Sequence, residues 1–581
     1  MSVEASDPVV RAERSIEEAE ARLLELAVDS QRADWVQATF ITEDTAALAT
    51  QASARLIRAM VDLVHSTAPL RELRLPEASR RKLEILRVSL PLVAPAGPRE
   101  TEELAGIINT LQGLYSKGKV RLPGRPEPLD LESVSRILAT SRDPAELERA
   151  WSGWHAVGRE MRAPFRRYVE LSNRGAREIG FDDLGAMWRA RYDMPPAEFA
   201  REMERLWQQV LPLYRSLHAY VRRRLFEQYG AGIVPERGPI PVHLLGNMWG
   251  QTWEHLYPGL APAQGLAGED LTAALVRRRT TPRQMVEQAE RFFTSLGLPP
   301  LPATFWERSM FTRPRDREVV CHASAWDIDF AEDLRVKMCI DVTEEDFRTI
   351  HHELGHNYYQ RAYAAQPFLF RDSANDGFHE AIGDTVALSV TPEYLVQIGL
   401  RERAEDAGGD LPFLLARALE SVAFLPFGLL IDVWRWGVFD GSIPPEEYNR
   451  TWWEHRRRYQ GIAPPTPRGE EEFDPGAKAH VATNTPYMRY FLAAILHYQF
   501  HRGLARTIAW SGPLHRCSVY GRREAGARLE SMLALGASRP WPEALEALTG
   551  ERRMDAGALL EYFAPLQRWL DEQNRGAPVG W

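Results

Sequence analysis

Cysteine is scarce in this chain: Cys321, Cys339 and Cys517 are the only three in 581 residues, too few for a disulfide scaffold. Long apolar runs are missing too. The longest candidate, AFLPFGLLIDVW, is interrupted by Pro426, Gly428 and Asp432, so no membrane span is expected. The start, MSVEASDPVVRAERS, has no basic segment followed by an apolar one. The expected location is therefore cytoplasmic, with a periplasmic or secreted protein as the alternative if a leader is missing from this chain. Neither charge sign gathers into blocks, and a formal net charge of -9 gives no argument for a nucleic-acid partner. Lysine is rare as well. Only Lys82, Lys117, Lys119, Lys337 and Lys478 appear among 71 basic residues, which marks Lys478 as a position where a compact point charge is used instead of a planar fork.

What is present describes a soluble globular chain with ample material for a core: 44% hydrophobic residues and 17 tryptophans, without repeats or low-complexity tracts. From Arg14 to Leu70 the text reads as amphipathic helix, Pro91 to Arg99 as a loop, and a further helical block starts near Thr101. The expected organisation is one unit, 1–581, in which residues 1–150 form a helical layer or a lid over a body at 151–581. Asp143-Pro144-Ala145-Glu146 predicts a helix start with a capping box, opening a long helical region that stops at Gly230. Thr281-Pro282-Arg283-Gln284 predicts another, with Met285, Ala289, Phe292, Phe293 and Leu296 as its apolar stripe and Gly297 as its end. Between Glu318 and Val342, REVVCHASAW and LRVKMCIDV read as a strand pair. Such a hairpin offers an edge to an extended peptide.

The chemistry concentrates in Thr349 to Asp384. His352-Glu353-Leu354-Gly355-His356 is an H-E-x-x-H, which on a helix sets two imidazoles one turn apart. A hydrolytic zinc site needs a third protein ligand and an open position for water. Glu380 is the best candidate, because Glu380, Gly383, Asp384 and Ala387 share one face of a second helix. Glycine there allows close approach, and Asp384 is placed to accept the free ring N–H of a ligating histidine. His351 and His379 are read as packing or hydrogen-bonding histidines. Zinc at His352, His356 and Glu380 would lower the pKa of its water to about 7, and Glu353 would serve as general base.

HHELGHNYYQ, GFHEAIGDTVALSVTP, AFLPFGLLIDVWRWGVFDGSI and FDPGAKAHVATNTPYMRY together resemble the angiotensin-converting enzyme family of zinc peptidyl-dipeptidases. The resemblance runs from about Trp188 to Trp581 and is weak over the first 150 residues. It implies a mostly α fold, a large helical zinc peptidase of the gluzincin type. A deep central cleft, two intertwined subdomains and a small β-hairpin near the active site go with it. It further implies release of C-terminal dipeptides from oligopeptides with a free C-terminus. Tyr490 and His480 match the family's oxyanion donors; Lys478, Tyr487 and Gln251 match its carboxylate anchor. In a sister branch that removes single C-terminal residues, the position of Gln251 is an arginine, so glutamine favours dipeptides. His322 and Ala323 fall in the segment that pairs with substrate backbone, Ala323 through its carbonyl. Chloride, as an activator, matches at Arg189, Trp452 and Arg456 and again at Tyr229 and Arg489. Cys321 and Cys339 match a bridged pair, whereas Cys517 lacks a companion because that position resembles Ala505. Ala494 stands where relatives often place a large aromatic, so the pocket it shares with Phe424 is expected to be roomier. The rival readings are a zinc carboxypeptidase releasing single residues and a peptide-binding protein without catalysis.

Overall fold

The computed structural model describes residues 7–90, 93–262, 271–404 and 409–581. The chain is mostly helical, with two small two-stranded sheets among the described residues. Residues 91 and 92 of the expected Pro91 to Arg99 loop lie outside them; the next helix, Pro98–Ser116, begins within that stretch.

The first two helices, Pro8–Thr39 and Glu43–Ser66, pack on one another. Ala12, Ile16, Ala19, Leu23, Leu26 and Ala27 form the buried stripe of the first. Thr42 caps the second by accepting from the Thr45 N–H, and Thr45 Oγ1 accepts from the Thr42 N–H in return. The turn between them is tied to the chain ahead of the hairpin: Ile41 N–H donates to Glu318 O and Val320 N–H to Ala38 O.

That attachment explains why the strands are shorter than the sequence suggests. Residues 318–320 bond to the N-terminal helices, leaving Ser324–Asp327 and Leu334–Lys337 as an antiparallel pair in register Ser324↔Lys337 to Asp327↔Leu334. Asp329 closes the turn by accepting from the N–H groups of Ala331, Glu332 and Asp333. Met310 bridges to the far side of Leu334–Lys337, so Ser324–Asp327 is an edge strand. Cys321 and Cys339 are disulfide-bonded beside it, and Cys517 is a buried thiol that burial pushes up to about 12.

The helix start at Pro144 is capped by Asp143, whose side chain accepts from Ala145 N–H, but no capping box closes. Glu146 turns instead to Ser141 Oγ and Arg125, and the Asp143 N–H donates to Ser141 Oγ. The long region after it is broken at Gly180, which adopts φ +88°, and again at Pro195, before the helix Pro196–Tyr229 runs to Gly230. Thr281 caps its helix as expected and closes a box with Gln284, and Gly297 takes φ +93° just past the end of Pro282–Ser295.

The helix Asp410–Asp440 passes straight through Pro426. Proline in a helix interior costs roughly 3 kcal/mol, and burial of most residues from Leu414 to Phe439 outweighs it. It is the one helix among the described residues long and apolar enough by composition to cross a bilayer, yet 72% of its apolar window is buried inside the fold. It packs on Pro196–Tyr229 and on Met488–Thr507, which in turn lies against Asp376–Leu388.

Candidate active site

Two helices build the centre. Glu344–Tyr363 is capped by Thr343, with Glu344, Glu345 and Asp346 in its first turn where the helix dipole favours acids. Asp376–Leu388 is capped by Asn375. They meet at two glycines: a Cβ on Gly355 would sit 2.9 Å from the Cα of Gly383, and a Cβ on Gly383 would sit 2.5 Å from His352 Nδ1. Gly383 is the close-approach position anticipated from spacing; its partner Gly355 emerges only from the packing.

The contact brings His352, His356 and Glu380 together, with one ligand atom from each within 4.8 Å of the others. It is the one such group among the described residues. The Nε2 atoms of the two histidines face each other at 3.0 Å, and Glu380 Oε2 lies 3.8 Å from His352 Nε2. Two imidazoles and a carboxylate converging in this way fit zinc by donor type and number. The local charge fits as well. Burial raises the pKa of Glu380, which His352 opposes and Asp384 reinforces; burial also raises Glu353, with His352 opposing and Glu380 adding. Burial lowers His352, but its hydrogen bond to Asp384 and the surrounding carboxylates carry it up to about 9. Burial pushes His356 well below the ordinary imidazole value, with His352 and His379 adding to it, which keeps that ring neutral, the state in which a histidine ligates a metal.

Asp384 Oδ1 stands 3.0 Å from His352 Nδ1, as the spacing anticipated. His351 is no ligand: its Nδ1 meets Phe347 O at 2.7 Å and its Nε2 meets Tyr394 OH at 2.9 Å, and burial drives its pKa to about 4. Glu353 is only 8% exposed and lines a cavity of about 510 Å³ with His352, Asp384, Ala323 and the disulfide. A second cavity of about 250 Å³ is lined by Glu380, Asp384, Phe424, Tyr490 and Ala494. Both walls of the pocket in question, Phe424 and the small Ala494, thus belong to one space beside Glu380. His322 is exposed, and its Nδ1 lies 2.8 Å from the carbonyl oxygen of Ala323 in the edge strand's approach.

Lys478 Nζ donates to Gln251 Oε1 at 2.7 Å and sits 4.0 Å from the Trp249 ring centre, with Phe427 and Tyr487 also around it. Burial, helped by the charge of Arg456, brings its pKa down to about 7. Gln251 is held by its loop: Asn247 Oδ1 accepts from Trp249 and Gln251 N–H, Gly250 takes φ +54°, and Gln460 Nε2 donates to Gly250 O. A two-residue parallel pairing of Ile240–Pro241 with Ile462–Ala463 frames that loop, too short to leave any period in the sequence. The His480 ring stands against those of Tyr487, at 4.7 Å, and Tyr490, at 5.7 Å. Burial lowers the His480 pKa to about 3, assisted by Lys478, Arg435 and Arg489.

Sequence reasoning missed what holds this segment. Asp432 and Arg435 form an ion pair buried in the core helix. Asp432 Oδ2 accepts from the N–H groups of Tyr487 and Met488, while Arg435 donates to the carbonyls of His480 and Thr485. The signal was an Asp and an Arg three apart in an otherwise apolar helix, a pairing that must be satisfied internally.

The residues matched to chloride are not brought together as expected. Trp452 and Arg456 are neighbours, with 5.6 Å between guanidinium and ring, and Arg456 is buried with its Nε lacking an acceptor among the described residues. Arg189 lies elsewhere, over Trp436 with its Nε donating to Gly185 O, whereas Arg456 feels Asp474 and Tyr214 and in turn acts on Lys478. Arg489 pairs with Asp376 at 3.2 Å beside Tyr192, whereas Tyr229 ends its helix near Arg142. Adjacent arginines and tyrosines along a helical text do not tell which faces inward, and the packing selected different partners.

The sequence model described as angiotensin-converting enzyme matches residues 7–581. An angiotensin-converting enzyme of Rattus norvegicus is 45% identical over 565 residues, covering 95% of this chain and 43% of the relative. One of Bos taurus is 47% identical over 484 residues, 82% of this chain and 37% of the relative. One of Theromyzon tessulatum is 44% identical over 501 residues, 85% of this chain and 81% of the relative. The chain thus spans about two fifths of the length of these mammalian relatives.

Proposed function

Since the chain belongs to the angiotensin-converting enzyme family of peptidases, we propose that it is a zinc-dependent peptidyl-dipeptidase acting on oligopeptides with a free C-terminus. The observation that carries this reading is the convergence of His352, His356 and Glu380 with Glu353 buried beside them on the same cavity. When bound, zinc supplies a water of lowered pKa and a Lewis acid for the scissile carbonyl. Glu353 takes the proton of the attacking water on its carboxylate and returns it to the leaving amine, beside the ligands without being one of them. Tyr490 and His480 are the hydrogen-bond donors for the developing oxyanion. The edge strand Ser324–Asp327 offers backbone groups to an extended substrate.

The anchor determines which bond is cut. Lys478, caged by aromatic rings and bonded to Gln251, with Tyr487 beside it, supplies one charge and neutral donors for a terminal carboxylate. Gln251 at this place supports dipeptide release. Digestion of an unblocked peptide is expected to yield dipeptides by mass, and its C-terminally amidated form is expected to be cut far more slowly. Loss of one residue at a time would replace this reading with a single-residue carboxypeptidase. No cleavage by the zinc-loaded protein would leave a peptide-binding protein.

The Lys478 pKa of about 7 also sets a pH dependence. The free anchor is charged below that value and neutral above it, and the substrate carboxylate binds the charged form. Affinity for a free C-terminus should therefore fall as pH rises from 7 to 9, by up to about tenfold per unit at its steepest. Lys478→Met should raise KM and flatten that slope; a slope unchanged in the variant would remove Lys478 from the anchor.

A further inference from the structure

The two histidines of the centre are supported unequally. His352 has a carboxylate, Asp384, on its Nδ1. On His356 the Nδ1 faces another imidazole: His379 Nδ1, at 2.7 Å. We propose that His379 is the positioning residue of His356, accepting its Nδ1 proton and so turning its Nε2 lone pair toward the metal. This rests on the reading that His352, His356 and Glu380 hold zinc.

Two facing ring nitrogens at this distance share one proton. If Nε2 of His356 is to be a ligand, the proton of the neutral ring is on Nδ1, and His379 must accept it. The proton of His379 is then on its own Nε2, which faces Tyr363 OH at 3.4 Å. The ring is lodged between Tyr359, 4.9 Å away, and Tyr363, 6.2 Å away. His356, Tyr359 and Tyr363 are spaced i, i+3 and i+7 on the first helix, so one face of that helix builds the slot into which the second inserts His379.

The test uses the purified full chain, with zinc affinity measured by chelator competition, the visible spectrum of the cobalt-substituted protein, and melting of the metal-free form. His379→Leu should weaken zinc about 10–100-fold, the usual cost of losing a ligand's outer partner, and shift the cobalt spectrum. His379→Asn places an oxygen where Nδ1 was and should restore affinity and spectrum. His379→Gln places its oxygen at the Nε2 position and should behave like the leucine variant. Wild-type affinity in His379→Leu, or equal weakening by Asn and Gln, would overturn the proposal. Should His379→Leu fail to fold, the Asn and Gln pair decides alone. A wild-type chain that takes up no zinc would instead overturn the zinc reading itself.

Discussion

Glu353→Gln is expected to leave one zinc bound per chain while kcat/KM falls by about 10²–10⁴-fold, roughly 3–5 kcal/mol of transition-state stabilisation. The side chain belongs to no ligand set: its carboxyl lies beside the His352, His356 and Glu380 group, on the wall of the cavity that reaches Ala323 and the disulfide. Glutamine keeps its shape and hydrogen-bonding reach and removes only the basicity. The two readouts separate the roles. Turnover at the wild-type level would take Glu353 out of proton transfer, and loss of zinc would make it a structural support. Neither outcome is what a buried carboxylate next to a ligand, but not of it, leads one to expect.

Gly383→Ala should do as much damage by a different route. The added methyl would overlap His352 Nδ1 at 2.5 Å, and the ring cannot yield without losing Asp384 or its place opposite His356. The helix can yield only by drawing away from the first, which opens the close contact of Gly355 with Gly383 and carries Glu380 away from the two histidines. Zinc affinity should drop by roughly 10–100-fold, as for loss of a ligand's support, with a stability loss of about 1–3 kcal/mol from overpacking. Gly113→Ala is the control: it lies inside the helix Pro98–Ser116 with nothing within 4 Å of the added carbon, and should be neutral or stabilising by about 0.5–1 kcal/mol. Chelator competition and thermal melting on the two variants check this. Unchanged zinc binding in Gly383→Ala would mean that the helices separate more easily than their packing suggests.

Much of the centre was legible because local rules suffice for it. Helical periodicity alone brought His352 near His356 and set Glu380, Gly383 and Asp384 on one face, and the caps at Thr281 and Asp143 followed from residue type. Where a local rule met a tertiary competitor, the competitor won. Glu146 left its capping box for Ser141 and Arg125, the strands shortened because the N-terminal helices claimed residues 318–320, and Pro426 failed to stop a helix buried along its length.

From the amino-acid sequence alone came the candidate ligands His352, His356 and Glu380, the candidate base Glu353 and their neighbour Asp384, since these depend on residues a few positions apart, whereas Lys478 as a candidate anchor came only from the family resemblance. Partnerships across long separations were decided by the tertiary structure. His379 on His356, Asp432 and Arg435 on the segment from His480 to Met488, and Asp376 on Arg489 join helices whose relative rotation no periodicity records. Burial is the physical reason. A polar group enclosed by packing must bond to whatever the fold places beside it, and that choice is made by the packing of whole helices, after the local pattern has already been satisfied.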